Sequence, residues 1–129
     1  MSRTFGSAKF YGAAGAAGLF LAVALGAFAA HSLRGRMDKE MLEVFETGVR
    51  YQVYHSIALL VVAGLADRGG LFRWAGLFYV LGIILFSGSL YSIAFGAPDS
   101  LGFITPIGGL SFLIGHASLL VAFLKHSKV

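Results

Sequence analysis

The chain has 129 residues, of which 57% are hydrophobic and only 12% charged. Soluble domains carry about 25% charged residues, and a fold this small buries only about two-thirds of its chain, so lipid must cover the surplus apolar surface. The formal net charge is +4, but no basic run is interleaved with aromatics, which argues against a nucleic-acid partner; the lack of cysteine excludes disulfides and thiolate metal sites.

Four apolar stretches follow one another along the chain, at about Phe10–Ala30, Tyr51–Ala66, Trp74–Phe95 and Pro106–Leu124, and none contains Asp, Glu, Lys or Arg. Each is close to the roughly 20 residues that a helix needs to cross a bilayer core. The fold class expected is therefore all-α: one domain over residues 1–129, an integral membrane four-helix bundle with helices over about 8–31, 38–66, 71–95 and 105–125. The first stretch also has signal-peptide features, with Arg3 and Lys9 ahead of it and Ala27-Phe28-Ala29 at its end. Its length, and the recurrence of Gly18, Ala22, Gly26 and Ala30 every fourth residue, favour a retained helix with a packing face.

Between the first two spans lies the charge-rich segment Ser32–Arg50. Gly35 is placed to end helix one and Asp38 to cap helix two. From Asp38 onward, Met41, Leu42, Phe45 and Val49 share one face, and Lys39, Glu43, Glu46 and Arg50 another. Glu46 and Arg50 have the favourable i,i+4 order. Helix two should thus run about 29 residues, or about 43 Å at 1.5 Å per residue. Its amphipathic N-terminal extension must project from the membrane, lie on it, or bend at Gly48. Asp67-Arg68-Gly69-Gly70 reads as a turn, with Arg73 and Trp74 as interfacial anchors of helix three. Gly96–Ser100 breaks that helix, and Thr105-Pro106 reads as the N-cap and first position of helix four. In helix four Ser111, Gly115, Ser118 and Ala122 form a second small-residue stripe, which suggests that the two stripes pack against each other.

The spans hold no carboxylate of the kind used by proton relays and ion-coupled carriers. No phosphate loop, hydrolase triad or HExxH motif is present, so no catalytic residue, metal site or cofactor is assigned and a non-enzymatic protein is expected. Histidine is the remaining chemistry: His31 at the end of helix one, His55 near the start of span two, His116 in mid helix four and His126 in the tail. His31 and His55 fall near the same membrane face, where they either hydrogen-bond across the bundle or form a haem-type pair. His116 needs a polar partner, for which Ser87, Ser89 and Ser92 are available. Arg50, Tyr51, Gln52 and His55 make a polar cluster at the membrane entry of helix two. It is either an interfacial belt or, with His31, a site for a lipid headgroup, quinone or other small molecule.

At this point the residues resemble a known family. Gly26-Ala27-Phe28-Ala29-Ala30-His31 resembles the GAFGAH segment of the YgdD-like small membrane proteins, also called domain of unknown function 423, which are related to eukaryotic transmembrane protein 256. Phe45-Glu46-Thr47, Arg50-Tyr51-Gln52, Tyr54-His55-Ser56-Ile57-Ala58-Leu59-Leu60, Phe86-Ser87-Gly88-Ser89-Leu90-Tyr91 and Ile104-Thr105-Pro106-Ile107-Gly108-Gly109 are similar to its later blocks, in order and over nearly the whole chain. The resemblance implies a multi-pass protein with an uncleaved first helix, in bacteria in the cytoplasmic membrane, and supplies no activity. It places His31, Arg50, Tyr51, Gln52 and His55 within family motifs. His116 stands where Trp is expected in many relatives, so no role is carried over to it.

The leading expectation is a packing, scaffold or accessory component, whose partners are membrane lipids and other copies or other membrane proteins. The alternative is a small-molecule or lipid binder, or a passive permease, using His31, Arg50, Gln52 and His55. A haem or quinone redox subunit stands third. Both termini and the middle turn share six basic residues (Arg3, Lys9, Arg68, Arg73, Lys125, Lys128) against four on the opposite side (Arg34, Arg36, Lys39, Arg50). The positive-inside rule then puts both termini in the cytoplasm. A C-terminal tag should therefore resist a membrane-impermeant label in intact cells and react after permeabilisation; labelling of intact cells would reverse the orientation.

Overall fold

The structure, a computed structural model, describes residues 2–125, with side chains from residue 7 onward. The side chain of Arg3, and His126 and Lys128, fall outside that description. Helix α1 spans Ser2–Phe28 and ends in a π-helical turn, Ala29–Leu33. Helix α2 spans Lys39–Leu65, α3 spans Gly70–Ala94, and α4 spans Ile104–Lys125. All four are long and apolar enough to cross a membrane, and no strand occurs among the described residues. The molecule is an all-α helical bundle.

The turns follow from local chemistry. Gly35 and Gly96 take φ of 85° and 104°, left-handed values that L side chains rarely adopt, and they end α1 and α3. Asp38 does precede α2, but its side chain makes no capping bond. Thr105 is not a cap either. A short 3₁₀ turn, Asp99–Phe103, leads into α4, and the Thr105 hydroxyl lies 2.5 Å from that of Ser89.

Two antiparallel hairpins make the bundle, α1 on α2 and α3 on α4. Close approach at small residues holds each one together. A Cβ at Gly15 would lie 2.7 Å from the Ser56 carbonyl oxygen, and Gly18 faces the Ser56 side chain. Ala22 and Ala29 are buried in the same seam, whereas Gly26 sits looser against Val49. Ala30 is exposed, so the seam passes through Ala29 instead. The π turn opens just there and shifts the register of the last turn. In the second hairpin a Cβ at Gly108 would meet the backbone of Phe86 at 2.8 Å, and one at Gly115 would meet the Tyr79 ring at 2.7 Å. Ser111 donates to the Phe78 carbonyl at 2.7 Å, Ala122 is buried and Ser118 is half-buried. The two stripes therefore do not pack against each other: each faces its own hairpin neighbour.

The N-terminal part of α2 runs helical through Gly48. Gly48 is buried because Tyr91 and the Ser87 carbonyl crowd its α-carbon. Phe45 packs in a cluster with Ala29, Leu33 and Ala94, so the extension is clamped between the ends of α1 and α3. Its apolar face is thus spent inside the protein. Glu46 and Arg50 form no ion pair among the described residues; Arg50 donates to the Thr47 hydroxyl at 3.0 Å. At the opposite end Arg73 donates to the Ala66 carbonyl at 2.6 Å and Tyr11 to the Arg73 carbonyl at 2.8 Å, which ties three helix ends together.

Helix α3 is interrupted by a π turn, Ile83–Ser87. Before it, Phe72, Ala75, Gly76, Tyr79 and Gly82 are buried; the buried set resumes at the last residue of the turn, Ser87, five residues on. The extra residue lets Ser87 donate to the Gly48 carbonyl at 2.7 Å. Overpacking a seam of this kind costs about 1–3 kcal/mol. Gly108→Ala should lower stability in detergent micelles by that amount. Gly64→Ala, on an open face of α2, should leave it unchanged or slightly raised. Equal unfolding midpoints for the two variants would refute the seam.

Candidate functional site: an intramembrane Tyr-His-His chain

His55 is buried on the face of α2 that looks toward α4. Its Nδ1 lies 2.7 Å from the Tyr51 carbonyl oxygen, one helical turn back. Its Nε2 lies 3.1 Å from Nε2 of His116 on α4, and Nδ1 of His116 lies 2.7 Å from the Tyr79 hydroxyl on α3. One atom fixes every donor in this chain. A carbonyl only accepts, so His55 carries its proton on Nδ1 and presents a lone pair at Nε2. His116 must then donate from Nε2 and accept at Nδ1, and Tyr79 must donate. Each polar atom is satisfied without water or charge.

Depth follows from the flanking charges. His116 precedes Lys125 by nine residues, about 13 Å along the helix, near the middle of a hydrocarbon layer about 30 Å thick. Ring packing fixes the pair. Phe112 stacks on His55 with centroids 3.5 Å apart and planes 6° from parallel. Tyr51 stacks on His55 with planes 16° apart, and Phe86 makes tilted contacts with Tyr51 and Phe112. Where the hairpins close on glycine, α2 and α4 meet through these rings. Beside them a groove of about 300 Å³ is lined by Tyr51, Tyr54, His55, Phe86, Gly109, Phe112, Leu113 and His116. Tyr51, Tyr54, Leu113 and His116 are exposed, so the groove opens toward the lipid. No hydrogen bond joins the Tyr51 or Tyr54 hydroxyl to another described residue.

The structure divides the sequence-derived cluster. Tyr51 and His55 line the groove. Gln52 points the other way, donating to the Gly18 carbonyl at 2.8 Å and accepting from the Tyr91 hydroxyl at 2.7 Å, a polar bridge across α1, α2 and α3. Arg50 is exposed at the membrane entry, bonded to Thr47. His31 is exposed on the π turn and does not meet His55, whose ring is engaged by Tyr51 and His116. The serines proposed for His116 are used elsewhere: Ser87 on Gly48, Ser89 on Phe86 and Thr105, Ser92 on Gly88. Sequence reasoning left His116 and Tyr79 out of the site. The available signal was a histidine deep in an apolar span, which needs a partner wherever one can reach it. Among the described residues no group of three or more His, Cys, Asp and Glu could hold a metal ion.

The donor assignment is directly measurable. Nitrogen-15 spectra of histidine-labelled protein in bilayers should show His55 as the Nδ1–H tautomer and His116 as the Nε2–H tautomer. In Tyr79→Phe the His116 Nδ1 resonance should lose its hydrogen-bond shift. Identical tautomers at the two positions would contradict the chain.

Comparison with known proteins agrees with the bundle. A family model described as "Protein of unknown function (DUF423)" matches residues 25–109. The UPF0382 membrane protein YwdK of Bacillus subtilis is 45% identical over 115 residues, covering 87% of this chain and 94% of that one. A UPF0382 membrane protein of Haemophilus influenzae is 50% identical over 101 residues, covering 78% and 82%. The UPF0382 inner membrane protein YgdD of Escherichia coli K12 is 42% identical over 108 residues, covering 82% of each chain. No solved structure matches. A match over most of the chain, joined to four helices long and apolar enough to cross a membrane, shows that the chain belongs to the DUF423 family of membrane proteins.

Proposed function

We propose that this protein is a non-enzymatic membrane protein that binds a small lipid-dissolved amphiphile in the groove between α2, α3 and α4. The observation that carries this reading is the groove itself: about 300 Å³, open to lipid, walled by aromatic rings and floored by the His55–His116 pair. That volume is at the lower end of small-ligand sites. It fits one ring-bearing head and is too small for a helix. The ring faces of Tyr51, Phe86 and Phe112 offer stacking surface, and the Tyr51 and Tyr54 hydroxyls offer donors to a head group. His31, Arg50 and Gln52 are not part of this site. The basic residues support an orientation with both termini cytoplasmic.

A second reading, as an accessory component that packs on other membrane proteins or on its own copies, has one supporting observation. Ala13, Ala17, Ala24 and Ala27 are exposed on the outer face of α1, so another helix can approach closely there.

Gly109 separates the two. A Cβ there would only touch the Phe86 ring, at 3.8 Å, and would point into the groove. Gly109→Leu should fold as the wild type does and fill the groove. Native mass spectrometry from lipid nanodiscs should show a retained small molecule on the wild type, reduced at least tenfold in Gly109→Leu. Retention unchanged by the filled groove, or no retained molecule on either protein, would overturn the binding reading. Copurifying proteins unaffected by Gly109→Leu but lost in Ala17→Leu would favour the accessory reading.

A further inference from the structure

The imidazole pair has a feature that amphiphile binding does not use. On two separate helices, two Nε2 atoms face each other at 3.1 Å. The far nitrogen of each ring is held by a second group: His55 Nδ1 by the Tyr51 carbonyl at 2.7 Å, His116 Nδ1 by the Tyr79 hydroxyl at 2.7 Å. Proteins orient metal-ligating histidines in this way, fixing one nitrogen so that the other is aimed. We propose that His55 and His116 form a two-coordinate intramembrane site for a single monovalent d¹⁰ cation, Cu(I) or its surrogate Ag(I), held between the two Nε2 atoms.

Ligand number and charge select this class. Zinc takes four ligands, or three with a water, and no third His, Cys, Asp or Glu joins the pair among the described residues. Linear two-coordination by nitrogen belongs to monovalent d¹⁰ ions. Ion solvation cost rises with the square of the charge, so a divalent ion on two neutral imidazoles would cost about four times as much in hydrocarbon. The aromatic faces around the pair, with Phe112 stacked on His55, lower the cost for a monovalent ion through cation–π attraction.

Geometry says what must move. Metal–imidazole bonds of about 2.0 Å require the two Nε2 atoms to be about 4 Å apart, roughly 1 Å wider than the hydrogen bond. His55 is pinned beneath Phe112, whereas His116 is exposed at the groove wall, so the displacement falls to His116. The proton inventory balances without release. When the hydrogen-bonded pair opens, water takes the proton from His116 Nε2 and returns one to Nδ1, so the ring keeps one N–H. The Tyr79 hydroxyl changes from donor to acceptor. Two metal–nitrogen bonds form, and the site gains one positive charge.

The test uses the full-length protein in detergent micelles, with Ag(I) followed by calorimetry and Cu(I) by competition against a chromophoric chelator. Met1, Met37 and Met41 are thioethers able to take the same ions; Met37→Leu/Met41→Leu removes the two internal ones and is the reference background. The expected result is one ion per chain in that background. His55→Gln and His116→Gln should each weaken binding at least a hundredfold, and Tyr79→Phe, which keeps both ligands, about tenfold to a hundredfold. Nitrogen-15 spectra of the unmutated protein give a reading that no misfolded variant can confuse. On adding Ag(I), both histidines should become Nδ1–H tautomers with shifted Nε2 resonances. Uptake that disappears with the two methionines, or Nε2 resonances that do not move on saturation with Ag(I), would overturn the site. Either result leaves the amphiphile reading standing, because that reading is measured by Gly109→Leu and retained mass.

Discussion

Gln52 and His55 sit three residues apart on α2, both buried inside the protein, and the other three helices are placed to answer them. In hydrocarbon an unsatisfied amide or imidazole costs several kcal/mol, so each group needs a partner inside the protein. Gln52 finds α1 at the Gly18 carbonyl and α3 at the Tyr91 hydroxyl. His55 finds α4 at His116, which in turn finds α3 at Tyr79. Interhelical hydrogen bonds in membranes are worth only about 0.6 kcal/mol on average, so these contacts add little bulk stability. What they add is register, since sliding α2 by one turn would strand both side chains. Dispersion in the glycine seams supplies the cohesion.

The number of long apolar helices is legible because hydrocarbon imposes it: a span needs about 20 apolar residues and charge falls at the ends. The seam partners were not legible. Gly18 and Gly115 read as packing positions from their spacing, but spacing on one helix carries no information about the face it meets. The two π turns left no mark either. Ile83–Ser87 lies in the middle of an unbroken apolar run, and only the jump of the buried face from Gly82 to Ser87 reveals it. Thr105 shows the limit of local rules. It has the right type and place for a cap, yet its hydroxyl meets Ser89.

The site was half legible for the same reason. Tyr51 and His55 were recognisable as a pair because i,i+4 residues share a helix face. Gln52, their immediate neighbour, was grouped with them by proximity in sequence, although a 100° step on the helix turns it toward α1 and α3 instead. Membrane side alone pairs His31 with His55; among the described residues the two histidines that meet come from α2 and α4. Depth alone marked His116, since a polar ring in mid-span must be satisfied and every charged partner is absent from the spans.

The bundle is built with different tolerances on its two sides, and neighbouring glycines show where the boundary runs. Gly108 faces the backbone of Phe86, where even a methyl group has no room; Gly109, one residue on, faces the ring of Phe86 across ordinary van der Waals distance. The first belongs to the α3–α4 seam and the second to the groove. The same division separates Gly18, which admits Ser56 and nothing more, from the ring-filled space between α2 and α4. A histidine held in that looser wall, with its far nitrogen tied to Tyr79, can turn about its own side chain while the seams keep the helices fixed. The glycine seams therefore set the positions of the helices that carry the two imidazoles, and the groove leaves space beside one of them.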